Sequence, residues 1–414
     1  MKQNTTYKQT ELGLIPEDWE VKKIDDVLDI FPTASYSRAE QCEDGDVQYL
    51  HYGDIHTKYN FHLKINNNNL PKISVDKLKN YKTLEIGDLI MADASEDYDG
   101  VGKCVEIIEL SEKKAIAGLH TFLLRDKKQN FSLGFKGYMT TSNIVKKQFY
   151  RTAVGTKVYS LSKTSLQNLK IPLPPLPEQK KIADCLSTWD VAIEKQNALI
   201  NALTDRKKAL MQQLLTGKKR LPGFEGKWKE VKLGEIIIDY KEKPNDNNNY
   251  EILTSSKNGL MKQTDYYGDN RITNRTDADY NVIPNGFITY RSRSDDGLFT
   301  FNLNDLGVIG LISGYYPVFS FAKSNTQFLL SFLNYFKSKL IKYAIGTSQL
   351  VLSINALKEA KFKLPSLEEQ TAIAEILATA DRELQLQKDK LAQLQSQKKG
   401  LMQVLLTGKK RLIN

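Results

Sequence analysis

A stretch of 49 residues occurs twice in this chain. Leu173–Leu221 and Leu364–Leu412 align without a gap at a constant offset of 191, with 25 identities. Each copy opens on a proline-containing lead, LPPLPEQ or LPSLEEQ, continues as an apolar-periodic segment, and closes on LLTGKKRL from Leu214 or Leu405. Such a start and stop predict a long helix. Ser366 with Glu369 is placed as a capping box, and Pro177 suits a first turn. Gly217 and Gly408 stand where a left-handed C-terminal cap belongs.

Between those ends the apolar spacing alternates four and three, the heptad rule of a coiled coil. The first seam runs Ile182, Leu186, Trp189, Ile193, Gln196, Ile200, Leu203, Lys207, Leu210, Leu214. The second runs Ile373, Leu377, Ala380, Leu384, Gln387, Leu391, Leu394, Lys398, Leu401, Leu405. The polar interruptions recur at matching places, Gln196 with Gln387 and Lys207 with Lys398. A parallel in-register pair would oppose the two lysines on a partly buried seam. An antiparallel pair sets Lys398 beside Trp189 and Lys207 beside Ala380, each stem packed and each ammonium in water. It also brings Gln196 and Gln387 into neighbouring layers, where a hydrogen bond fixes register. The antiparallel pair is therefore expected. Each helix, about 39 residues at about 1.5 Å each, would span about 58 Å.

Between the copies lie two divergent segments with shared ends. Trp19, Lys23, Ile24 and Asp26 match Trp228, Lys232, Leu233 and Glu235 at an offset of 209, so the first variable region is 18 residues longer. At the far end, Gly155, Leu161, Ser162 and Leu166 match Gly346, Leu352, Ser353 and Leu357. The middles read as strand-rich: VQYLHYGDI from Val47, IGDLIMA from Ile86, FLLR from Phe122 and GFITYRS from Gly286, separated by Gly, Asn and Asp clusters. Asn66–Asn69 and Asp246–Asn249 read as turns, and the stretches near Phe135–Phe149 and Gln327–Tyr343 as helices. The lead PGFEGKWKEVKLGEI that follows the first helix has its match in ELGLIPEDWEVKKI from Glu11. The organisation is domain, helix, domain, helix, as in a ring cut at one point, and the termini are expected to lie together. The expected fold class is α+β, two mixed strand-rich domains alternating with two long helices that pair as an antiparallel coiled coil, related by a pseudo-twofold internal repeat.

The 414 residues suffice for two to three domains. No run of about 18 apolar residues appears, and MKQNTTYKQTELG lacks the apolar core of a signal peptide, so a cytoplasmic location is expected. Cys42, Cys104 and Cys185 are too scattered for a disulfide framework or zinc site and read as buried thiols. The net charge of +10 divides as +1 over residues 1–170, +4 over 171–220, +3 over 221–364 and +2 over 365–414. No domain is uniformly basic, so a polyanion would have to meet a local patch.

Two divergent domains alternating with two near-identical LPxLxEQ...IA...L...D...LLTGKKRL segments resemble the DNA specificity subunit of type I restriction-modification enzymes, over essentially the whole chain. The resemblance implies a target recognition domain over residues 1–171, a spacer helix over 172–221, a second recognition domain over 222–363 and a second spacer helix over 364–414. It implies a non-catalytic subunit that reads a bipartite asymmetric site on double-stranded DNA, with the helices as a ruler and a dock for two methyltransferase subunits, joined by motor-nuclease restriction subunits. S-adenosylmethionine, ATP and Mg would belong to those partners and none to this chain, and no membrane would be involved. Two recognition domains at fixed separation would read two half-sites, unlike because the domains are unlike.

Missing motifs agree with that division of labour. No Asn-Pro-Pro-aromatic sequence for gripping a flipped adenine is present, and GVGK at Gly100 lacks the first glycine and hydroxyl of a phosphate loop. His51, His56 and His62, spaced five and six apart, share no strand face and read as surface or turn histidines, with no metal expected. Glu20-Val21-Lys22 has a nuclease-like Glu-x-Lys form that domain two does not repeat, so it reads as chance. Arg291 and Arg293 alternate on an expected strand end, where they would offer bidentate donors to guanine edges or clamp phosphates, or else pair with Asp295 and Asp296. Arg271 and Arg275 are similar candidates. Arg151, Lys157 and Lys163 flank the shared Gly-Thr turn as backbone contacts or a solvated edge. Lys218–Arg220 and Lys409–Arg411 sit at helix C-termini, for dipole complementation or for phosphate or partner contact. An orphan subunit serving methylation only, and a coiled-coil scaffold that reads no DNA, remain as alternatives.

Overall fold

The computed structural model describes residues 6–66, 70–245, 250–257, 259–267 and 280–413. It divides into two compact units, Met1–Asn197 with Asp389–Asn414, and Ala198–Lys388. Both duplicated segments are helical, Leu176–Leu214 and Leu367–Leu405, at 39 residues each. Each unit therefore takes in one of the two divergent domains, the start or end of one long helix, and the opposite part of the other.

In the first unit the main sheet has five strands, in the order Leu28–Phe31, Thr121–Asp126, Leu89–Ala92, Cys104–Leu110 and His62–Ile65. Its pairs are antiparallel except the last, which is parallel. The strand Leu89–Ala92 is buried along its whole length, as its unbroken apolar run requires. A smaller sheet joins Ala115–Ala117, Val47–Leu50 and Lys72–Ile73. Strands Glu20–Lys23 and Lys170–Leu173 then pair antiparallel where the long helix begins. One core links Trp19, Ile24, Phe135, Tyr138 and Phe149 with Ile182 and Leu186 of the first helix and Leu405 and Leu406 of the second.

The second unit repeats this plan with two four-stranded sheets. One runs Ile237–Tyr240, Val318–Phe321, Ile288–Tyr290, Phe301–Leu303, and the other Gly259–Lys262, Glu251–Ser256, Gly310–Ser313, Tyr280–Ile283. Strands Lys229–Lys232 and Lys361–Leu364 close it antiparallel. Its core joins Tyr290, Phe299, Phe319 and Phe328 to Leu214 and Leu215 of the first helix and Ile373 and Leu377 of the second.

Several local expectations are met and several are corrected. Gly217 and Gly408 both take φ of +69°, and the N–H groups of Lys219 and Lys410 return to the carbonyls of Gln213 and Val404 at 3.2 and 3.0 Å, closing each helix. The capping box is half present: the Glu369 N–H donates to Ser366 Oγ at 3.4 Å, but the Glu369 carboxylate turns to an arginine instead. VQYLHYGDI is a strand only to Leu50. His51 Nδ1 accepts the Gly53 N–H at 3.1 Å and so caps a helix, Tyr52–Thr57, that period-two reading missed. Of the cysteines only Cys104 is buried, its thiol pushed up to about 12 by burial, while Cys42 is exposed and Cys185 half-buried. The asparagine-rich residues 67–69 and 246–249 lie outside the described residues. Among the described residues no helix is long and apolar enough to cross a membrane.

Candidate nucleic-acid interface

Each domain carries a short β-ribbon built the same way. In the first, Ala94–Ser95 pairs antiparallel with Tyr159–Ser160, and the Leu161 N–H donates to Asp93 O at 2.8 Å. In the second, Arg293–Ser294 pairs with Leu350–Val351, and the Leu352 N–H donates to Ser292 O at 2.8 Å. The turn that returns the chain is the shared glycine, Gly155 at φ +142° and Gly346 at φ +121°. A Cβ at either would lie within 1.9 or 2.2 Å of a carbonyl oxygen, so both space and φ demand glycine.

The ribbon aligns Ala92, Ala94 and Ser95 with Arg291, Arg293 and Ser294. Arg291 and Arg293 are exposed and Ser292 between them is buried, so the two guanidinium groups share one face as the alternation predicts. They line a cleft of about 180 Å³ together with Lys257, Asp295 and Asp296. The acids in it are engaged by other groups. Lys257 Nζ lies 2.7 Å from Asp296, which also accepts from Ser294 Oγ at 2.7 Å, and these bonds hold the Asp296 carboxyl far below the usual carboxylate range. Gln349 donates to Asp295 at 2.9 Å. Among the described residues neither arginine has a carboxylate within ion-pair distance, and Arg293 lies 4.8 Å over the exposed ring of Tyr315. Of the two arrangements open to these arginines, the paired one is not formed.

The first domain has a different surface at that place. His56 Nε2 is 2.9 Å from Ala94 O, and His120, at φ +55°, sets Nδ1 3.2 Å from Asp93, whose carboxyl burial pushes up. Tyr52 stands edge-on to both rings. Tyr98 stacks on Tyr150 at 4.8 Å and meets Tyr159 edge-on at 5.0 Å. Lys157 and Lys163 are exposed, and Lys163 Nζ donates to Ile30 O at 3.2 Å. Arg151 lies elsewhere, in a cleft of about 620 Å³ that Lys157 and Lys163 do not line. Arg271 and Arg275 lie outside the described residues.

Sequence reading missed Lys257, Tyr315 and the Tyr52–His120 group, which reach the ribbon from turns and a short helix elsewhere in the chain. The two ribbon segments share a Ser-acid-acid trio, Ser95-Glu96-Asp97 and Ser294-Asp295-Asp296, but glycine follows at once only in the second, at Gly297, and after Tyr98 and Asp99 in the first. The three histidines singled out from the first domain are not simply surface residues. His51 is buried as a cap, and His62 Nε2 lies 2.8 Å from Gly134 O. Glu20 and Lys22 pair with each other at 2.8 Å.

The helix ends carry the strongest electrostatics, and here the arginines correct the expectation. Arg411 grips Glu178 with two bonds of 2.7 Å and Asp18 with a third, while Trp19 Nε1 donates to Glu178 at 2.9 Å. Hydrogen bonding to Glu178 holds the Arg411 guanidinium above its ordinary value, and hydrogen bonding to Arg411 holds the Asp18 carboxyl below its own. In the second unit Arg220 grips Glu369 in the same two-pronged way, at 2.6 and 2.7 Å. These arginines are turned inward and taken, leaving Lys218, Lys219, Lys409 and Lys410 exposed. Glu178 and Glu369 are themselves matched repeat positions, so the pairing was readable once an antiparallel arrangement was assumed.

Within each unit the helix contacts do run antiparallel. In the second, Arg206 pairs with Glu383 and Lys207 with Asp381. In the first, Lys398 pairs with Asp190 and lies 3.9 Å over the ring of Phe61, and the Tyr138 hydroxyl also donates to Asp190. Lys398 was expected beside Trp189 with its ammonium in water. Instead it is buried at 5% side-chain exposure, and burial holds it below its ordinary value against the pull of Asp190, while Trp189 is half-buried. Lys207 keeps 26% exposure. Gln196 is buried and Gln387 half-buried.

The sequence model of the type I restriction modification DNA specificity domain matches this chain twice, at residues 16–205 and 225–396. The chain belongs to that family. Among relatives in this specificity family, the MjaX type I restriction enzyme specificity subunit of Methanocaldococcus jannaschii is 27% identical over 434 aligned positions, 98% of this chain and 97% of the relative. The MjaVIII specificity subunit of the same organism is 30% identical over 308 positions, 67% of this chain and 71% of its own length. The crystal structure of a type I restriction-modification S subunit from M. genitalium superposes with a TM-score of 0.55 at 15% identity, over 98% of this chain and 97% of that one. The family fold is therefore shared along the whole chain.

Proposed function

We propose that this specificity-family chain is the non-catalytic DNA-reading subunit of a type I restriction-modification complex, and that it recognises a bipartite, asymmetric site on double-stranded DNA. The observation that carries this is the pair of ribbons. One backbone arrangement presents two exposed arginines without carboxylate partners in the second domain, and in the first buries the matched alanines beside a histidine and tyrosine surround. Arginines held free of carboxylates by other donors suit guanine edges or phosphates. Two unlike surfaces on one scaffold suit two unlike half-sites.

The cross-helix ion pairs within each unit support a continuous antiparallel pairing, with Gln196 and Gln387 setting its register and the helices acting as the ruler. Two methyltransferase subunits, with restriction subunits beyond them, would complete the complex. S-adenosylmethionine, ATP and Mg would be held by those partners, and the complex would work in the cytoplasm.

Genome-wide methylation mapping with and without this chain, in cells that retain the methyltransferase, tests the reading. A split motif of constant gap should vanish with the chain, and replacing residues 17–171 should change one half of it only. If no motif vanishes although the complex assembles, the DNA-reading role fails and a scaffold role takes its place.

A further inference from the structure

The second unit contains a cleft of about 380 Å³ where the first helix ends, floored by Trp228 and Phe336 and rimmed by Lys339, Lys342, Lys361 and Lys363. All four lysines are exposed. Lys339 Nζ lies 4.3 Å over the Phe336 ring and Lys342 Nζ 4.9 Å over that of Tyr343. Among the described residues Lys339, Lys342 and Lys363 have no carboxylate within ion-pair distance, and Lys361 has only Glu230 at 3.8 Å. The indole N–H of Trp228 is buried with no acceptor among them. Four cations around an aromatic floor, with one orphaned donor, form a surface lacking its complement.

The repeat shows what that complement looks like. Thr216, Trp228 and Lys361 match Thr407, Trp19 and Lys170 of the first unit. There the chain supplies its own cover, a hairpin of Tyr7–Thr10 with Gly13–Pro16. Its turn brings Glu11 onto Lys170 in an ion pair and sets Glu11 to Leu14 against Thr407 in the neighbouring cleft. Tyr7 ties the hairpin down through a 3.1 Å bond to Gly408 O, and Trp19 beneath it is fully buried with its N–H satisfied. In the second unit Trp228 follows directly from the helix end through Lys218–Lys227, with no hairpin, and stays half-buried.

We infer that the cleft of the second unit docks an acidic segment with apolar neighbours from the methyltransferase subunit, supplying in trans what Glu11–Leu14 supplies in cis. This rests on the reading that a methyltransferase is a partner. A protein segment fits better than a DNA backbone, because the floor is aromatic and the matched place in the first unit is covered by a Glu-Leu turn.

The test uses the full chain carrying Lys339→Glu with Lys342→Glu, both exposed and outside the core, and the purified methyltransferase subunit as probe. Binding to it should weaken by at least about tenfold and lose most of its salt dependence, while affinity for duplex DNA stays within about twofold. Lys339→Arg with Lys342→Arg should restore binding. Lys363→Glu, on a strand edge, gives an independent variant should the double one not fold. Unchanged methyltransferase affinity overturns the inference, as does a loss of duplex affinity with methyltransferase binding intact, which would assign the cleft to nucleic acid. Failure of the unaltered chain to bind the methyltransferase would instead overturn the partner reading beneath it.

Discussion

In the first domain the ribbon strand Ala94–Ser95 is buried and carries small side chains, whereas the second domain puts the exposed Arg291 and Arg293 on the same backbone. The helix ends compare the other way: Arg411 with Glu178 and Arg220 with Glu369 repeat the same contact with the same residue types. What holds the fold is duplicated, and the side chains of the ribbon differ. Yet the duplicated contacts are not equal in depth. Arg411 is 7% exposed and shares Glu178 with Trp19, whereas Arg220 is 27% exposed and Trp228 does not reach Glu369.

The largest expected effect probes that inequality. Arg411→Ala leaves a buried carboxylate without its partner and should cost about 3–5 kcal/mol. Arg220→Ala also strands a buried carboxylate, Glu369, but gives up a more exposed guanidinium and less packing, so it should cost less. Urea unfolding of both variants checks this, and equal losses would break the distinction between the ends.

Next comes the ribbon. Arg291→Ala and Arg293→Ala should each weaken binding to the cognate duplex by about 1–3 kcal/mol, with stability unchanged. Ala92→Ser and Ala94→Ser in the first domain should leave recognition of the second half-site untouched. Titrations against duplexes altered in one half-site at a time separate these, and a loss spread evenly over both halves would contradict the division of reading.

Lys398 and Lys207 sharpen the comparison at matched heptad positions. Lys398→Ala removes a buried stem and strips Asp190 of its cation, for a loss of about 2 kcal/mol. Lys207→Ala breaks a half-exposed pair worth about 0.5 kcal/mol or less. Thermal melts of the two variants should differ by several degrees; coincident melts would mean that the burial of Lys398 does not matter.

The smallest effect is in acid. The Asp18 carboxyl is held below its ordinary value of 3.8 by Arg411. A carboxylate so lowered contributes stability that is full above about pH 4 and disappears as pH falls through its folded value. Asp18→Asn should therefore flatten the stability curve below pH 4 and leave it parallel to the parent at neutral pH.

Much of this architecture was legible in the sequence, because a heptad, a repeated glycine cap and a repeated Trp-to-Leu lead are local patterns. The paired helix contacts, the ribbon glycines and the face shared by Arg291 and Arg293 all follow from spacing. Burial of Lys398 did not, since it depends on Phe61 and Tyr138, side chains of the divergent domain that heptad reasoning never places. The cap made by His51 was missed for a related reason: a short helix inside a strand-rich run leaves no apolar period of its own.

The division of the core has a consequence for the order of folding. The second unit is one unbroken stretch, Ala198–Lys388, while the core of the first needs Leu405, Leu406 and Leu412, separated from its main body by that entire stretch. On the ribosome the first unit is made first but must wait longest for its last core residues, so the second repeat should close before it. Pulse-labelled hydrogen exchange on refolding chains would record that inverted sequence as early protection around Phe319 and late protection around Trp19.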